Sequence, residues 1–417
     1  MKINTNDCVS PNDRLLTYDE ALGKLLEQAA CLSKPVDQAL MQALGKVLAE
    51  DIYSTISVPP QAVSSMDGYA LNTVTSKADQ PISISQRIPA GHEALALKEG
   101  TAARIFTGAS IPAGADCVVM QERVTLVEND ILLDVVPKSG TNIRPAGNDI
   151  KVDDRILVAG SRLRAQDIGI AASVGRQYLP VFEPVKVGMF LTGDELVEPG
   201  QIAGPGKIYD SNRYTLFGLL SALGCEIIDL GLVGDTLDAT QRAMLEAADR
   251  ADLVITSGGV SVGEEDHVRI AIESLGELMM WRLGIKPGKP LAYGKIKGTH
   301  FIGLPGNPVS VFATFCLFVC PLLKTLQGRQ WQKPIAVSVK SGFDWPKPDS
   351  RREFLRARLE QNDQGDVVAT IYANQDSGVL TSTVWADGFV EVPEQTTISC
   401  GDWVDYLSFS EFLDRNA

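Results

Sequence analysis

Between residues 188 and 310 the chain carries six short runs in which acids, glycines and lysines recur at turn-like spacing. They are G-M-F-L-T-G-D-E-L, G-K-I-Y-D-S-N, G-D-T, T-S-G-G-V-S-V-G-E-E-D, I-K-P-G-K-P and G-L-P-G-N-P-V-S. Several follow an apolar run directly, which is where binding turns sit at the carboxyl ends of parallel strands. Together they offer carboxylates, glycine backbone that a ligand can approach closely, and paired lysines. That set suits an anionic ligand held with a divalent cation.

In T-G-D-E, Gly193 permits a tight turn that leaves Asp194 and Glu195 at the edge of a sheet; a helix N-cap with its capping acid would use the same residues. After the apolar run 253–256, Ser257, Gly258 and Gly259 present amides able to form an anion-binding nest. Glu264, Glu265 and Asp266 follow, and three adjacent carboxylates repel one another unless a cation relieves them. Lys286 and Lys289 stand on a loop stiffened by Pro287 and Pro290, so both can reach phosphate at small further ordering cost. Pro305 and Pro308 bracket a strand-to-helix turn whose amides can meet an anion, although such turns also form without one. Asp235 either caps the helix that follows or joins the acids as a metal ligand. Upstream, S-M-D-G-Y-A places Asp67 before Gly68, an ordinary hairpin signal. R-I-F-T-G-A carries Thr107, and N-I-R-P-A-G-N-D adds Arg144 and Asp149 where a domain junction is expected.

The elements that must hold these turns read as four units. Residues 17–52 read as helices, with Thr17 and Glu20 as a capping box and a helical stripe continued by Leu40, Leu44, Val47 and Leu48. They are expected to pack with 150–182 as a helical and linker domain (1–52 plus 150–182) interrupted by a β-rich insert, 53–149. From 183 to 328, strands at 185–191, 226–231, 253–256 and 300–304 alternate with helices at 214–223, 239–247, 268–275 and 309–323. That βαβ pattern predicts a central three-layer αβα domain with a mostly parallel sheet. Residues 329–417 are β-rich again and predict a C-terminal barrel or sandwich. The expected fold class is therefore multidomain α/β and β.

A length of 417 residues suits two to four domains. The formal charge of −14 excludes general nucleic-acid binding, which needs a basic face. Residues 1–16 are polar, without an apolar leader. The most apolar stretch, 301–323, is broken by Pro305, Gly306, Asn307, Pro308 and Pro321, so it reads as a loop and a buried helix, not a membrane span. Seven cysteines without a C-x-x-C pair and only three histidines argue against a disulfide framework or a zinc centre, and for a reducing, cytoplasmic setting.

In their order, M-D-G-Y-A, R-I-F-T-G-A, N-I-R-P-A-G-N-D-I, T-G-D-E-L, S-G-G-V-S-V-G-E-x-D, K-P-G-K-P and L-P-G-N-P-V-S resemble the molybdopterin molybdenumtransferase family, which includes the C-terminal domain of gephyrin. The set spans almost the whole chain, and its specificity lies in the order. The resemblance implies insertion of molybdate into adenylylated molybdopterin, dependent on Mg²⁺, with release of AMP and formation of molybdenum cofactor. It implies an elongated homodimer with the site between the αβ domain of one subunit and the β insert of the other, and molybdopterin adenylyltransferase as a pathway partner. By motif position, Asp67, Thr107, Asp149, Glu195, Asp235, Asp266 and Lys286 are the implied catalytic residues, with Glu195, Asp235 and Asp266 as metal ligands. Pro305 and Pro308 are carried over in the same way as functional positions, and the residues themselves offer Ser257, Gly258, Gly259, Arg282, Lys289 and Arg144 as further substrate contacts. Departures are modest: Arg282 stands where relatives often carry lysine, Asn148 where an acid is common, His267 where an aromatic is, and Glu265 is unusual beside Glu264. Two rival readings are molybdopterin adenylyltransferase, a single small domain of the same α/β fold, and a non-catalytic scaffold. The insert and C-terminal unit count against the first, the retained acids and lysines against the second.

Overall fold

The computed structural model describes residues 15–260 and 267–413, the side chains of Met280 and Trp281 excepted. The polar stretch 1–14 and the acids Glu264, Glu265 and Asp266 lie outside the described residues.

The central unit is built on β1 (Lys186–Thr192), β2 (Glu226–Val233), β3 (Leu253–Ser257), β4 (Gly276–Arg282), β5 (Pro290–Ile296) and β6 (Thr299–Leu304). They form one sheet in the order β2–β1–β3–β6–β5–β4. The first four neighbours run parallel, while β5 and β4 each run antiparallel to the strand before them in that order. The sheet is thus mostly parallel as expected, and the antiparallel pair β4 and β5 is the part that sequence periodicity missed. Its sign was local: Lys297 and Gly298, at φ 49° and 90°, make the two-residue turn joining β5 to β6.

Strand β3 is buried throughout, because helices cover both faces. Val187, Met189, Leu253 and Ile255 face α1 (Asn212–Ala222) through Leu216 and Leu220, together with Phe315 and Val319. Phe190 and Val254 face α2 (Leu237–Arg250) and α3 (His267–Leu275) through Met244, Ala247, Val268 and Ile272. The alternation along β1 assigns each face, and at Gly188 an added Cβ would lie 2.9 Å from that of Ala247.

Helix α4 runs unbroken from Pro308 to Leu326. Pro321 does not end it, since a π-turn at Phe315–Val319 shifts the hydrogen-bond register just before the proline. By length and hydropathy it could span a membrane, contrary to the length expected, yet 89% of its apolar window is buried inside the fold, so it is a core helix.

The N-terminal residues meet expectation in part: Ala43, Leu48 and Ile52 do pack with Leu157, Leu163, Leu179 and Val181, but the helices expected at 17–52 are only partly there. Thr17 and Glu20 do form a capping box, with Glu20 N donating to Thr17 Oγ1 at 3.3 Å and Thr17 N to Glu20 Oε2 at 3.0 Å. That helix, Tyr18–Glu27, packs on the central unit, with the Tyr18 ring edge-on to Phe318 and Phe354 at 5.5 and 5.7 Å, instead of joining residues 150–182. Residues 35–39 are a strand, paired antiparallel with Tyr178–Phe182, and only Leu40–Ala43 makes a helical turn. Gly45, at φ 76°, turns the chain, so Leu44 points to solvent while Val47 and Leu48 bridge Arg162 and Val181 in extended backbone. The helical stripe was a coincidence of spacing.

Residues 63–144 carry a six-stranded, largely antiparallel sheet. Asp67-Gly68 is not a hairpin tip; Gly68 opens the strand Gly68–Leu71, where a Cβ would lie 1.8 Å from Val119 O. At the C-terminal end, Val337–Ser341, Arg352–Gln361, Val367–Ile371, Gly388–Val392 and Trp403–Ser408 close into a barrel, because Arg352–Gln361 pairs with both Val367–Ile371 and Gly388–Val392. The expectation of a barrel or sandwich resolves to the barrel.

Candidate active site

The strand order reverses between β1 and β3: the chain steps from β1 out to β2, then returns past β1 to β3 and on toward β6. In open α/β sheets ligands bind at such a switch point, outside the carboxyl ends of the strands. Here β1 ends in Thr192 and β3 in Ser257, and their turns touch. Gly258 and Gly259 have φ of 92° and 63°, and a Cβ on Gly258 would lie 3.0 Å from Thr192 O, so glycine is required for conformation and approach alike. The Gly258 N–H donates to Leu304 O at 3.2 Å, so this amide is committed to the sheet and the expected nest is smaller than three free amides. Ser257 Oγ donates to Pro305 O at 2.8 Å, tying this turn to the one after β6.

At the β1–β2 end stand acids. Asp235 Oδ1 accepts from Thr192 Oγ1 at 3.0 Å, whereas the cap of α2 is Thr236, whose hydroxyl accepts from Ala239 N. The cap alternative for Asp235 therefore falls. Glu195 is exposed and folds back over the preceding turn, its Oε2 2.7 Å from where a Gly193 Cβ would be. No helix starts at Glu195; Leu196–Val197 pairs with Ile208–Tyr209, which removes the N-cap reading of T-G-D-E. Arg213 secures the neighbouring loop by ion pairs with Glu198 and Asp229. Among the described residues no three His, Cys, Asp or Glu side chains cluster as a metal centre, and Asp266, the third acid of the expected set, lies outside them.

At the β6–β5 end lies a cavity of about 450 Å³ between the K-P-G-K-P and P-G-N turns on one side and Arg351, Gln375, Asp376 and Ser377 of the barrel on the other. The two lysines, equivalent in sequence, differ here. Lys286 Nζ sits 2.7 Å from Glu353 Oε1 and 3.5 Å from Asp349 Oδ2 of the barrel. Glu353 is 2% exposed and also accepts from Trp345 Nε1 at 2.7 Å. The Arg351 guanidinium donates to Asp349 at 3.0 and 3.1 Å and draws its carboxyl down to about 2. Lys289 is exposed, with no ion pair among the described residues. Pro308 occupies the first turn of α4, where its missing N–H costs nothing. Arg282 ends β4 opposite Pro290, on the same edge of the sheet. Arg351, Gln375, Asp376 and Ser377 were not anticipated; the cluster N-Q-D-S-G at 374–378 was the available signal, an ordinary turn by composition.

Neighbouring strands lie about 4.8 Å apart, so roughly 14–19 Å separates the acids over β1 and β2 from the lysine loop that opens β5. Asp235 and Glu195 thus stand at one end of the edge and Lys289 at the other, where Lys286 and Arg351 are paired with Glu353 and Asp349, and the glycine turns lie between.

The insert carries its own cluster. Asp67 Oδ1 accepts from Thr107 N at 2.8 Å and from its hydroxyl at 2.9 Å, which holds the Asp67 carboxyl below its usual range. The Arg104 guanidinium lies over Tyr69 and Phe106 beside this pair. Arg144 is exposed on the strand paired with Val63–Ser64, and Asp149 N donates to Val58 O at 3.0 Å. No hydrogen bond or ion pair between described residues joins Asp67, Thr107, Arg144 or Asp149 to the crevice of the same chain.

A doubly wound αβα unit with an anion-suited switch point, flanked by a β insert and a closing barrel, defines a multidomain ligand-binding protein of the α/β class. The chain belongs to the molybdopterin molybdenumtransferase family, transferases of molybdenum cofactor biosynthesis. Residues 16–175 match the MoeA N-terminal region (domain I and II), 188–325 the probable molybdopterin binding domain, and 338–409 the MoeA C-terminal region (domain IV). The chain is similar to the molybdopterin molybdenumtransferase of Haemophilus influenzae, 40% identical over 96% of this chain and 100% of that protein. It is 38% identical to the Nostoc sp. protein of the same name, over 87% of this chain and 86% of that one. The solved molybdopterin biosynthesis moeA protein of Pyrococcus horikoshii shares its fold at TM-score 0.82 and 30% identity, covering 94% of this chain and 100% of that one.

Proposed function

We propose that the protein transfers molybdenum from molybdate to adenylylated molybdopterin, with Mg²⁺ required and AMP released. The observation that carries this reading is the layout of the sheet edge: carboxylates of Glu195 and Asp235 at one end and the exposed Lys289 beside a cavity at the other, roughly 14–19 Å apart, suit one extended anionic ligand. Glu195 and Asp235 are carboxylates flanking Thr192, the donor type a hard divalent cation takes, and Asp266 completes the set by resemblance. Mg²⁺ bound there would supply charge neutralisation at the phosphoanhydride.

The chain's own residues then bind and orient. Lys289 attracts the anionic groups, Lys286 and Arg351 set the rim of the cavity from their positions anchored on Glu353 and Asp349, and the Ser257–Gly259 turn lets the ligand approach the backbone. Arg282 adds charge at the same edge. Molybdate meets the pterin dithiolene in a cavity walled by Pro305 and Ser377, and side-by-side binding supplies proximity. No protein nucleophile is needed. The insert residues Asp67, Thr107, Arg144 and Asp149 serve a second copy's crevice in a homodimer, a reading supported by the lack, among the described residues, of any hydrogen bond or ion pair from them to the crevice of their own chain. Molybdopterin adenylyltransferase supplies the substrate. The described cysteines are all unpaired, which fits a reducing cytoplasm.

The test is AMP release from adenylylated molybdopterin, measured with and without molybdate and Mg²⁺. Release dependent on both supports the reading. Net ATP consumption instead would point to an adenylyltransferase, and no turnover under any condition to a scaffold.

A further inference from the structure

One signature, G-K-I-Y-D-S-N, has no role in the mechanism above. It runs through Ile208–Tyr209 into the first residue of α1. There Asn212 Nδ2 donates two hydrogen bonds, to Ser257 Oγ at 3.1 Å and to Gly306 O at 2.7 Å. Ser257 Oγ passes on a bond of 2.8 Å to Pro305 O. One amide nitrogen therefore ties the turn after β3 to the turn after β6. Asn307 extends the chain outward, its Nδ2 donating to Ser377 Oγ of the barrel at 2.8 Å. Behind Asn212 the segment is fixed by Asp210, 2% exposed, which accepts from Arg213 N at 3.1 Å.

Asn212 Oδ1 is buried without a hydrogen-bond partner, a cost folded proteins rarely carry. The side chain is thus oriented by its donors alone. Aspartate has the same shape and no donor when ionised; serine and alanine are too short to reach both turns. A structural brace alone could be built from many residues, whereas this one needs two N–H groups on one nitrogen.

We propose that Asn212 is a positioning residue that holds the Ser257 and Gly306 turns in register, so that the switch-point crevice and the cation-rimmed cavity act as one ligand site; this rests on the function proposed above. Loss of the amide lets the two halves bind separately, and the extended substrate suffers more than either fragment.

The experiment compares wild type with Asn212→Asp, Asn212→Ala and Ser257→Ala in molybdate-dependent AMP release across pH 5–8, with molybdate binding measured by calorimetry. Asn212→Asp is expected to lower kcat/KM about tenfold at neutral pH, the size of one to two lost neutral hydrogen bonds. Its rate should recover as pH falls, because a protonated carboxyl donates one of the two bonds, while Asn212→Ala stays low throughout. Wild-type kcat/KM in Asn212→Asp, or one shared pH profile for the two Asn212 variants, overturns the inference. If Asn212→Asp does not fold, Ser257→Ala removes the β3 end of the same link and leaves only the Asn212–Gly306 bond, and a wild-type rate there also overturns it. If wild type releases no AMP, the proposed function falls first. The Asn212 inference is then decided by calorimetry with AMP and molybdate: the variants must lose affinity for the two together more than for either alone, and equal losses overturn it.

Discussion

Lys286→Ala tests how the cavity is held together. Lys286 and Glu353 are partners in the parallel pairing between Ile285–Lys286 and the barrel strand, and their charges meet at 2.7 Å. Removing one member of a buried ion pair costs about 3–5 kcal/mol, because the other charge is left uncompensated. Here Glu353 is 2% exposed but the lysine side chain is 42% exposed, so water reaches one side and about 2–3 kcal/mol is expected. Glu353→Gln removes the charge and keeps an acceptor for Trp345 Nε1. The double variant should therefore be no less stable than Lys286→Ala alone, with a coupling of at least about 1 kcal/mol. Urea unfolding at pH 7 of the four proteins in the cycle reads this directly. A cost below about 0.5 kcal/mol for Lys286→Ala, or strict additivity, would refute the assignment of Lys286 as the tie between barrel and sheet. Lys289→Ala is the contrast: stability within about 0.5 kcal/mol of wild type, with molybdate binding weakened instead.

Three further outcomes follow from particular contacts. The Arg351 guanidinium draws the Asp349 carboxyl from 3.8 to about 2, so its stabilisation is present above 3.8 and lost as pH falls toward 2. Screening limits the effect to about 1 kcal/mol, and Asp349→Asn should flatten that limb of thermal unfolding measured from pH 2 to 5. Gly68→Ala places a methyl against the Val119 carbonyl and should cost about 3 kcal/mol or more, seen as a collapsed melting temperature or insoluble protein. Burial pushes the Cys117 and Cys225 thiols up to about 12 and Cys316 higher than usual, so at pH 8 a thiol reagent should modify Cys31 and Cys400 quickly and these three only after unfolding, as peptide mass spectrometry would report.

The parallel strands were legible because burial on both faces demands continuous apolar runs, and Gly258 and Gly259 because only glycine tolerates their backbone. Local spacing misled where two periods coincide: Leu40, Leu44, Val47 and Leu48 fit a helix, yet Pro35 and Gly45 fix a strand and a turn. The acidic end of the site was readable as composition, but that Asp235 meets Thr192 and not its own helix depends on β2 lying beside β1. The barrel wall was not readable. Arg351, Asp376 and Ser377 sit in unremarkable turn sequence and reach the cavity only through barrel closure. Nothing in K-P-G-K-P distinguishes its lysines; that follows from Glu353 standing in register on a strand more than sixty residues later.

The outgoing and returning arms of the insert run side by side, Val58 bridging Ile150 and Ile52–Tyr53 pairing with Arg155–Leu157. The excursion is thus a cassette plugged into a neck one strand spacing wide. Its polar cluster around Asp67 is wired to the rest of the chain through two adjacent leads, so a hinge at that neck would swing the whole cluster as one piece while leaving the scaffold that bears the crevice threaded as it is.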